Sequence, residues 1–290
     1  MTELDDIFDE QEEVPAALET DGEPYSKEDW IKQKAENRKQ VFELLETATT
    51  ALTDPERFAQ YLDVQSRFDR YSVSNVLLIS AQKPDAIRIA DAKTWQQSGA
   101  YIKKGEKALT ILEPGKVFVR QDGTKSISYD AKKVFDITQT TAELLEHRTK
   151  QVDDRKLIRA LMKASPVPVC ISNELPDGVN AAYVPQQKEI LVRQGMNGAD
   201  IFWVIANEIA HARMEQSDAA QEDNKFAADC VSYLLCKRNG IEPKRVGDVK
   251  ALDGKEPKER RDILKVIRDE ANDITAVMEK ALANRDRDAR

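Results

Sequence analysis

Apolar positions first recur at helical spacing after Ser26-Lys27-Glu28-Asp29, a capping-box-like start followed by Trp30, Ile31, Val41, Phe42, Leu44 and Leu45, which predicts a long first helix. Thr53-Asp54-Pro55 then sets a capping residue before a proline in the first turn of a second helix, with Phe58, Tyr61, Leu62 and Val64 as its apolar face. A third helix is predicted through Asn75–Ile79 to the stop at Lys83-Pro84, and a short fourth from Ala92 to Gly99. From there the pattern turns to strands, over Ala108–Leu112, Lys116–Arg120 and Ser126–Phe135, with a turn at Gln121-Asp122-Gly123.

A second block opens with a helix near Asp153–Lys163, the apolar run Val167–Ile171, and a hairpin of Val179–Val184 and Glu189–Arg193 about Pro185-Gln186-Gln187. Three helices follow, Ala199–Met214, Lys225–Arg238 and the charge-laced Arg260–Leu282, whose amphipathic face packs on its own block or serves a partner. The expected class is α+β: a helical unit with a small β-sheet, then a short sheet with helices on one side. The boundaries expected are a tail over 1–24, a first domain over 25–140, a linker over 141–152, a second domain over 153–285 and a short disordered end over 286–290.

The 290 residues suit two domains with real cores. At 41% hydrophobic and 33% charged, the composition excludes collagen-like and wholly disordered chains. No apolar run reaches the roughly 18 residues a membrane span needs, and the start MTELDDIFDEQEEV carries acid where a secretory signal carries basic and apolar residues, so a cytoplasmic protein is expected. Cys170, Cys230 and Cys236 form neither a disulfide framework nor a CxxC zinc site, and buried reduced thiols are expected.

The net charge of −8 is unevenly spread. Residues 1–24 hold ten acidic and no basic side chains, so the remainder has 44 basic against 42 acidic. That tail buries too little apolar surface to offset its ordering entropy and is expected to be disordered. Lys83–Lys133 contains eleven Lys or Arg against six Asp or Glu, densest at Tyr101-Ile102-Lys103-Lys104-Gly105-Glu106-Lys107. It reads either as a phosphate-facing patch or as an ordinary solvated stretch. The chemically suggestive string is Asn207-Glu208-Ile209-Ala210-His211. In HExxH, two imidazoles one helical turn apart hold a zinc whose water the Glu polarises. Here Asn stands first, and the only other histidine, His147, lies in the linker. On spacing alone the string is an ordinary helix face.

Tyr71–Ile79, Gln82-Lys83-Pro84-Asp85-Ala86, Trp95-Gln96 and Gly99–Ala108, in that order and spacing, resemble the N-terminal domain of ArdC-type antirestriction proteins and their LtrC-like relatives from conjugative elements. Val134–Thr140 is similar to the segment where that family's sheet ends. Across about residues 25–285 the resemblance implies a first domain that binds single-stranded DNA and a second with a zincin-like metallopeptidase fold. The family's first zinc histidine falls on Asn207, its general base on Glu208 and its second histidine on His211. The carboxylate ligand of the next helix falls on Lys225, while Asp229 keeps its charge type. The implied second domain is therefore a degenerate, non-catalytic peptidase fold with no cofactor expected. Lys225 could supply its ammonium to Glu208 and His211 where zinc would sit.

For single-stranded DNA, Arg67, Arg70, Lys93, Lys103, Lys104 and Lys107 are phosphate candidates, and Asn75 a hydrogen-bonding one. Tyr71, Trp95 and Tyr101 are candidate stacking platforms, Trp95 having the alternative role of anchoring its short helix in the core. These side chains are expected to meet along one groove. The leading reading is a cytoplasmic single-stranded-DNA-binding protein of a mobile element. Its alternatives are an active zinc metallopeptidase with an unusual ligand set, and an antirestriction decoy acting through the acidic tail. Single-stranded DNA is the expected partner, a protein could engage the second domain or the tail, and no membrane is involved.

Overall fold

The structure, a computed structural model, describes residues 27–119, 123–143, 153–216 and 224–288. The acidic tail, Ser26, the turn residues Gln121 and Asp122, most of the linker with His147, and the last two residues lie outside them. The chain divides into two compact units, residues 1–48 with 77–143 and residues 49–76 with 144–290.

The order of elements is α1 (Lys27–Thr50), α2 (Pro55–Arg67), α3 (Val73–Gln82), β1 (Ile89–Ala90), α4 (Ala92–Gln97), β2 (Leu109–Val119), β3 (Lys125–Asp136), α5 (Asp154–Met162), β4 (Val169–Ile171), β5 (Ala181–Val184), β6 (Glu189–Val192), α6 (Gly198–Gln216), α7 (Asn224–Arg238) and α8 (Pro257–Asp288). The class is α+β, as the periodicity predicts. Asp54 caps α2, its carboxylate accepting from the Glu56 and Arg57 N–H groups at 3.0 and 2.9 Å. Asp91 does the same for α4, accepting from the Thr94 N–H at 2.7 Å. That bond, more than any other contact, holds the Asp91 carboxyl below its ordinary range.

In the first unit the sheet order is β1-β3-β2, all antiparallel. Where two separate strands are expected over 108–120, the structure has one long β2 with a register shift between Pro114 and Val117. Proline has no N–H to donate to a ladder, and the bulge carries the chain past it. A Cβ on Gly115 would come within 2.7 Å of Ser128 Oγ, so a larger residue in the bulge would have to displace that hydroxyl from the Lys116 carbonyl. Buried Trp95, Ala100 and Ile137 pack with Phe135, Ala90 and Ile102 at the proximal end of the sheet.

In the second unit β4 pairs parallel and β5 antiparallel to the central β6. Helix α6 packs on β5, β6, α5 and α7, and α7 in turn packs on α2 and α8. Residues 49–76 belong here because Phe58, Tyr61 and Leu62 of α2 are fully buried, with the Phe58 ring 5.5 Å from Phe226 of α7. Cys230 and Cys236 are buried free thiols, and burial pushes Cys236 up to about 12; Cys170 is free but only half-buried, correcting the expectation of three buried thiols. Among the described residues no helix is long and apolar enough to cross a membrane.

Candidate functional site

Helix α6 is apolar almost all round, which is why it can run through the second unit with Phe202, Ile205, Ala206, Ile209 and Ala210 buried. Asn207, Glu208 and His211 project from it. Glu208 and His211 face a cavity of about 370 Å³ lined also by Tyr183, Pro185, Glu215 and Asn224. Glu208 accepts the Tyr183 N–H of β5 at 2.7 Å. Burial raises its pKa above the usual carboxylate range and Asp229 adds to the rise, while the Tyr183 bond and the Arg245 charge oppose it.

Asn207 turns from the cavity to Asp229 of α7. Its amide Nδ2 donates to Asp229 Oδ1 at 2.8 Å, and the Arg245 guanidinium donates to the same oxygen from Nε at 3.0 Å and Nη2 at 2.6 Å. The buried carboxylate is thus neutralised by a cation, as a buried charge requires. Lys225, expected to face either Glu208 and His211 or solvent, is exposed. The cation is Arg245, on a loop sixteen residues beyond Asp229, and a fork of N–H donors suits a carboxylate better than a point charge. Sequence reading missed it because no local spacing marks a loop arginine that reaches back to a helix. Gly247 is the one nearby hint. A Cβ there would meet Cys230 Sγ and Phe226 Cδ2 at 2.8 Å, so glycine lets the loop lie against α7.

These residues do not fit a zinc ion. A catalytic zinc needs three protein ligands and a water. Asp229 is occupied by Asn207 and Arg245, Glu208 by a backbone N–H, and His211 is the single imidazole of the set. Among the described residues no three His, Cys, Asp or Glu side chains come together to hold a metal.

The linkage sign for Glu208 follows from its burial. Its folded pKa lies above the unfolded value near 4.5, so its favourable contribution is complete below that value and is lost as pH rises through the folded pKa. Glu208→Gln keeps an acceptor for the Tyr183 N–H and removes the titration. Urea unfolding at pH 5 and pH 8 should show the variant gaining stability relative to wild type at the higher pH. A variant less stable at pH 8 than at pH 5, relative to wild type, contradicts this assignment.

The nucleic-acid candidates fall into two sets, one in each unit, so the structure does not assemble all ten within a single unit. In the first unit Lys93, Lys103, Lys104 and Lys107 are exposed, as is Tyr101 at 60%. Trp95 is a correction: at 3% exposure, with its indole N–H donating to the Phe135 carbonyl at 2.9 Å, it is a core anchor and offers no open face. Arg88, overlooked in the sequence, is exposed with its guanidinium 5.6 Å from the Trp95 ring centroid. In the second unit Arg67 and Arg70 are exposed. Tyr71 is half-buried, its ring edge-on to Phe68, and the half-buried Asn75 donates its backbone N–H to Ser72 Oγ at 3.3 Å.

The loop over 101–107 is held by the segment after β3. Ile102 bridges Thr140, the Lys103 N–H donates to the Gln139 carbonyl at 2.9 Å, and the Thr141 N–H donates to the Tyr101 carbonyl at 2.8 Å. Gln139 Nε2 donates to Glu106 Oε2 and the Lys107 carbonyl at 3.0 and 2.8 Å. Asp136, wholly buried, accepts the Ile87 and Arg88 N–H groups on one oxygen and the Thr138 N–H and hydroxyl on the other, at 2.7 to 3.0 Å. The cationic side chains therefore stand on a fixed backbone.

The fold and this pinned cationic loop describe a two-unit α+β protein whose second unit packs α6 against α7. Residues 32–167 match the N-terminal domain of anti-restriction factor ArdC. The fold is similar to that of the antirestriction ArdC protein from the R388 plasmid. Its Mn(II)-bound crystal structure has TM-score 0.57 and 17% identity, covering 83% of this chain and 98% of that one. Its metal-free structure has TM-score 0.51 and 18% identity, covering 74% and 86%. The uncharacterized protein pXO2-81 of Bacillus anthracis is 24% identical over 271 residues, 73% of this chain and 46% of that protein. The chain thus spans about half the length of that curated relative. Residues 32–167 thus carry the sequence pattern of the ArdC N-terminal domain, and the fold is similar to that of the R388 protein.

Proposed function

We propose that this is a cytoplasmic single-stranded-DNA-binding protein of a mobile genetic element, of the conjugation or antirestriction kind, whose peptidase-like second unit is a non-catalytic scaffold. The observation that carries the reading is the loop from Tyr101 to Lys107: three exposed lysines and an exposed ring on a backbone pinned to Gln139, Thr140 and Thr141. Lysines on a fixed frame meet phosphates without first paying for loop order, and a tyrosine face accepts any base. Arg88 and Lys93 add cations to the same unit. The Asn207–Asp229–Arg245 network supports the scaffold reading, since it satisfies the buried carboxylate without a metal. The R388 protein has a Mn(II)-bound form; in this chain Arg245 takes up the carboxylate that a metal would compete for.

Lys103→Gln/Lys104→Gln/Lys107→Gln should weaken binding of a labelled oligothymidine severalfold or more. It should also lower the slope of log affinity against log salt by about 2, at roughly 0.7 per phosphate contact on a single strand. Fluorescence anisotropy across a salt series reads both. Unchanged affinity and slope would remove the loop from the DNA site.

A further inference from the structure

The β2–β3 hairpin has two unlike faces. On one, Asp130 receives Arg38 Nη2 at 2.7 Å and Lys34 Nζ at 3.2 Å from α1, so a helix covers it. On the other, cross-strand pairing sets Val117 opposite Ile127, Val119 opposite Lys125 and Pro114 opposite Tyr129, with Lys133 further along the same row of β3, beyond Ala131 and its buried partner Leu112. Val117 and Val119 are each 63% exposed, Ile127 44% and Tyr129 38%, and both lysines are exposed. Contiguous apolar exposure on a strand pair marks an interaction surface.

Charge decides between occupants. The lysines bracket the apolar pairs, and the acidic side chains of the hairpin among the described residues, Glu113, Asp130 and Asp136, belong to the opposite face. At about 3.3 Å per residue, Lys133 and Lys125 lie about 26 Å apart along the strand. The same row continues to Phe135, which packs against Trp95, and then to the segment that holds the Tyr101–Lys107 loop. Two cations flanking a ring and aliphatic side chains, in line with a cationic loop, match a polyphosphate carrying unpaired bases.

We propose that this open hairpin face is a base-contacting track for single-stranded DNA, with Tyr129 and the Val117–Ile127 pair beneath the bases and Lys125 and Lys133 at the phosphates. It rests on the single-strand reading of the first unit and names surface for bases that the buried Trp95 cannot provide. The strand would leave the lysine loop and run outward along β3.

The test uses the full chain and a labelled oligothymidine in a salt series. Ile127→Ser/Tyr129→Ala should weaken binding about tenfold with an unchanged salt slope, because it removes stacking and no charge. Tyr129→Phe should bind as wild type, and Lys125→Gln/Lys133→Gln should lower the slope by about 1.4. Tyr129→Leu, which keeps apolar bulk but removes the ring, is the second variant and should still weaken binding severalfold if the first lowers the melting temperature. Wild-type affinity in all the Tyr129 variants, alongside loss in the loop-lysine variant, overturns the track and leaves the DNA reading standing. No single-strand binding by the unaltered chain overturns both. A concentration-dependent dimer in sedimentation, abolished by Ile127→Ser/Tyr129→Ala, gives the face to a second copy and overturns the track.

Discussion

Asp136→Ala should cost the first unit roughly 3–5 kcal/mol, because it strips a buried carboxylate from four donors at once. Hydrogen bonds to a charged acceptor contribute about 1.5–3 kcal/mol each, and here they act as a unit, so the loss is less than their sum. Three of the donors are backbone N–H groups, of Ile87, Arg88 and Thr138, and alanine offers them nothing. Asp136→Asn keeps one acceptor oxygen and turns the other into a donor, so about half the loss is expected. The Asp136 N–H also donates to Gln139 Oε1 at 2.9 Å, and Gln139 holds Glu106 and the Lys107 carbonyl. Damage at Asp136 therefore travels to the lysine loop. Urea unfolding followed by tryptophan fluorescence, with Trp95 in this unit's core, measures the stability. A loss below 1 kcal/mol would show that the four bonds are not made.

Arg245→Ala should destabilise the second unit by about 2 kcal/mol. Removing one partner of a buried pair costs roughly 3–5 kcal/mol, but the Arg245 side chain is 54% exposed while that of Asp229 is 6% exposed, so water recovers part of the loss. Adding Asp229→Asn should return some stability, giving a coupling energy of the same sign in a double-mutant cycle. Additive losses would mean that the guanidinium and the carboxylate do not support each other. The same geometry predicts a gain of function. Asn207 lies within hydrogen-bond reach of Asp229 and one turn from His211, so Asn207→His/Arg245→Ala would set two imidazoles and a freed carboxylate about one point. That double variant should take up zinc, seen as a melting-temperature rise on adding the ion, whereas Arg245→Ala alone should not.

Much of the fold was legible because local chemistry declares it. Asp54-Pro55 and Asp91 announce helix starts, and both carboxylates accept the first-turn N–H groups expected of them. Alternation over Val179–Val184 and Glu189–Arg193 gave the hairpin its strands, and Lys188, with φ of 52°, takes the turn's left-handed position. What escaped depends on tertiary placement. The break at Glu113-Pro114-Gly115 reads as a gap between strands, yet a bulge carries one strand through it. Trp95 could be core or surface until Phe135 supplied an acceptor for its indole. Arg245 is invisible locally, since its partner lies on another element. Residues 49–76 precede the first sheet in sequence, but the apolar face of α2 finds its complement on α7.

The most direct measurement is the affinity of the full chain for a labelled single-stranded oligonucleotide against the same sequence as duplex, at two salt concentrations, with a strong chelator and again with added Mn(II). Tighter binding to the single strand, a steep fall with salt, and the same affinity in chelator and in metal are expected. Preference for the duplex, or single-strand binding that vanishes in chelator and returns with Mn(II), would contradict that expectation.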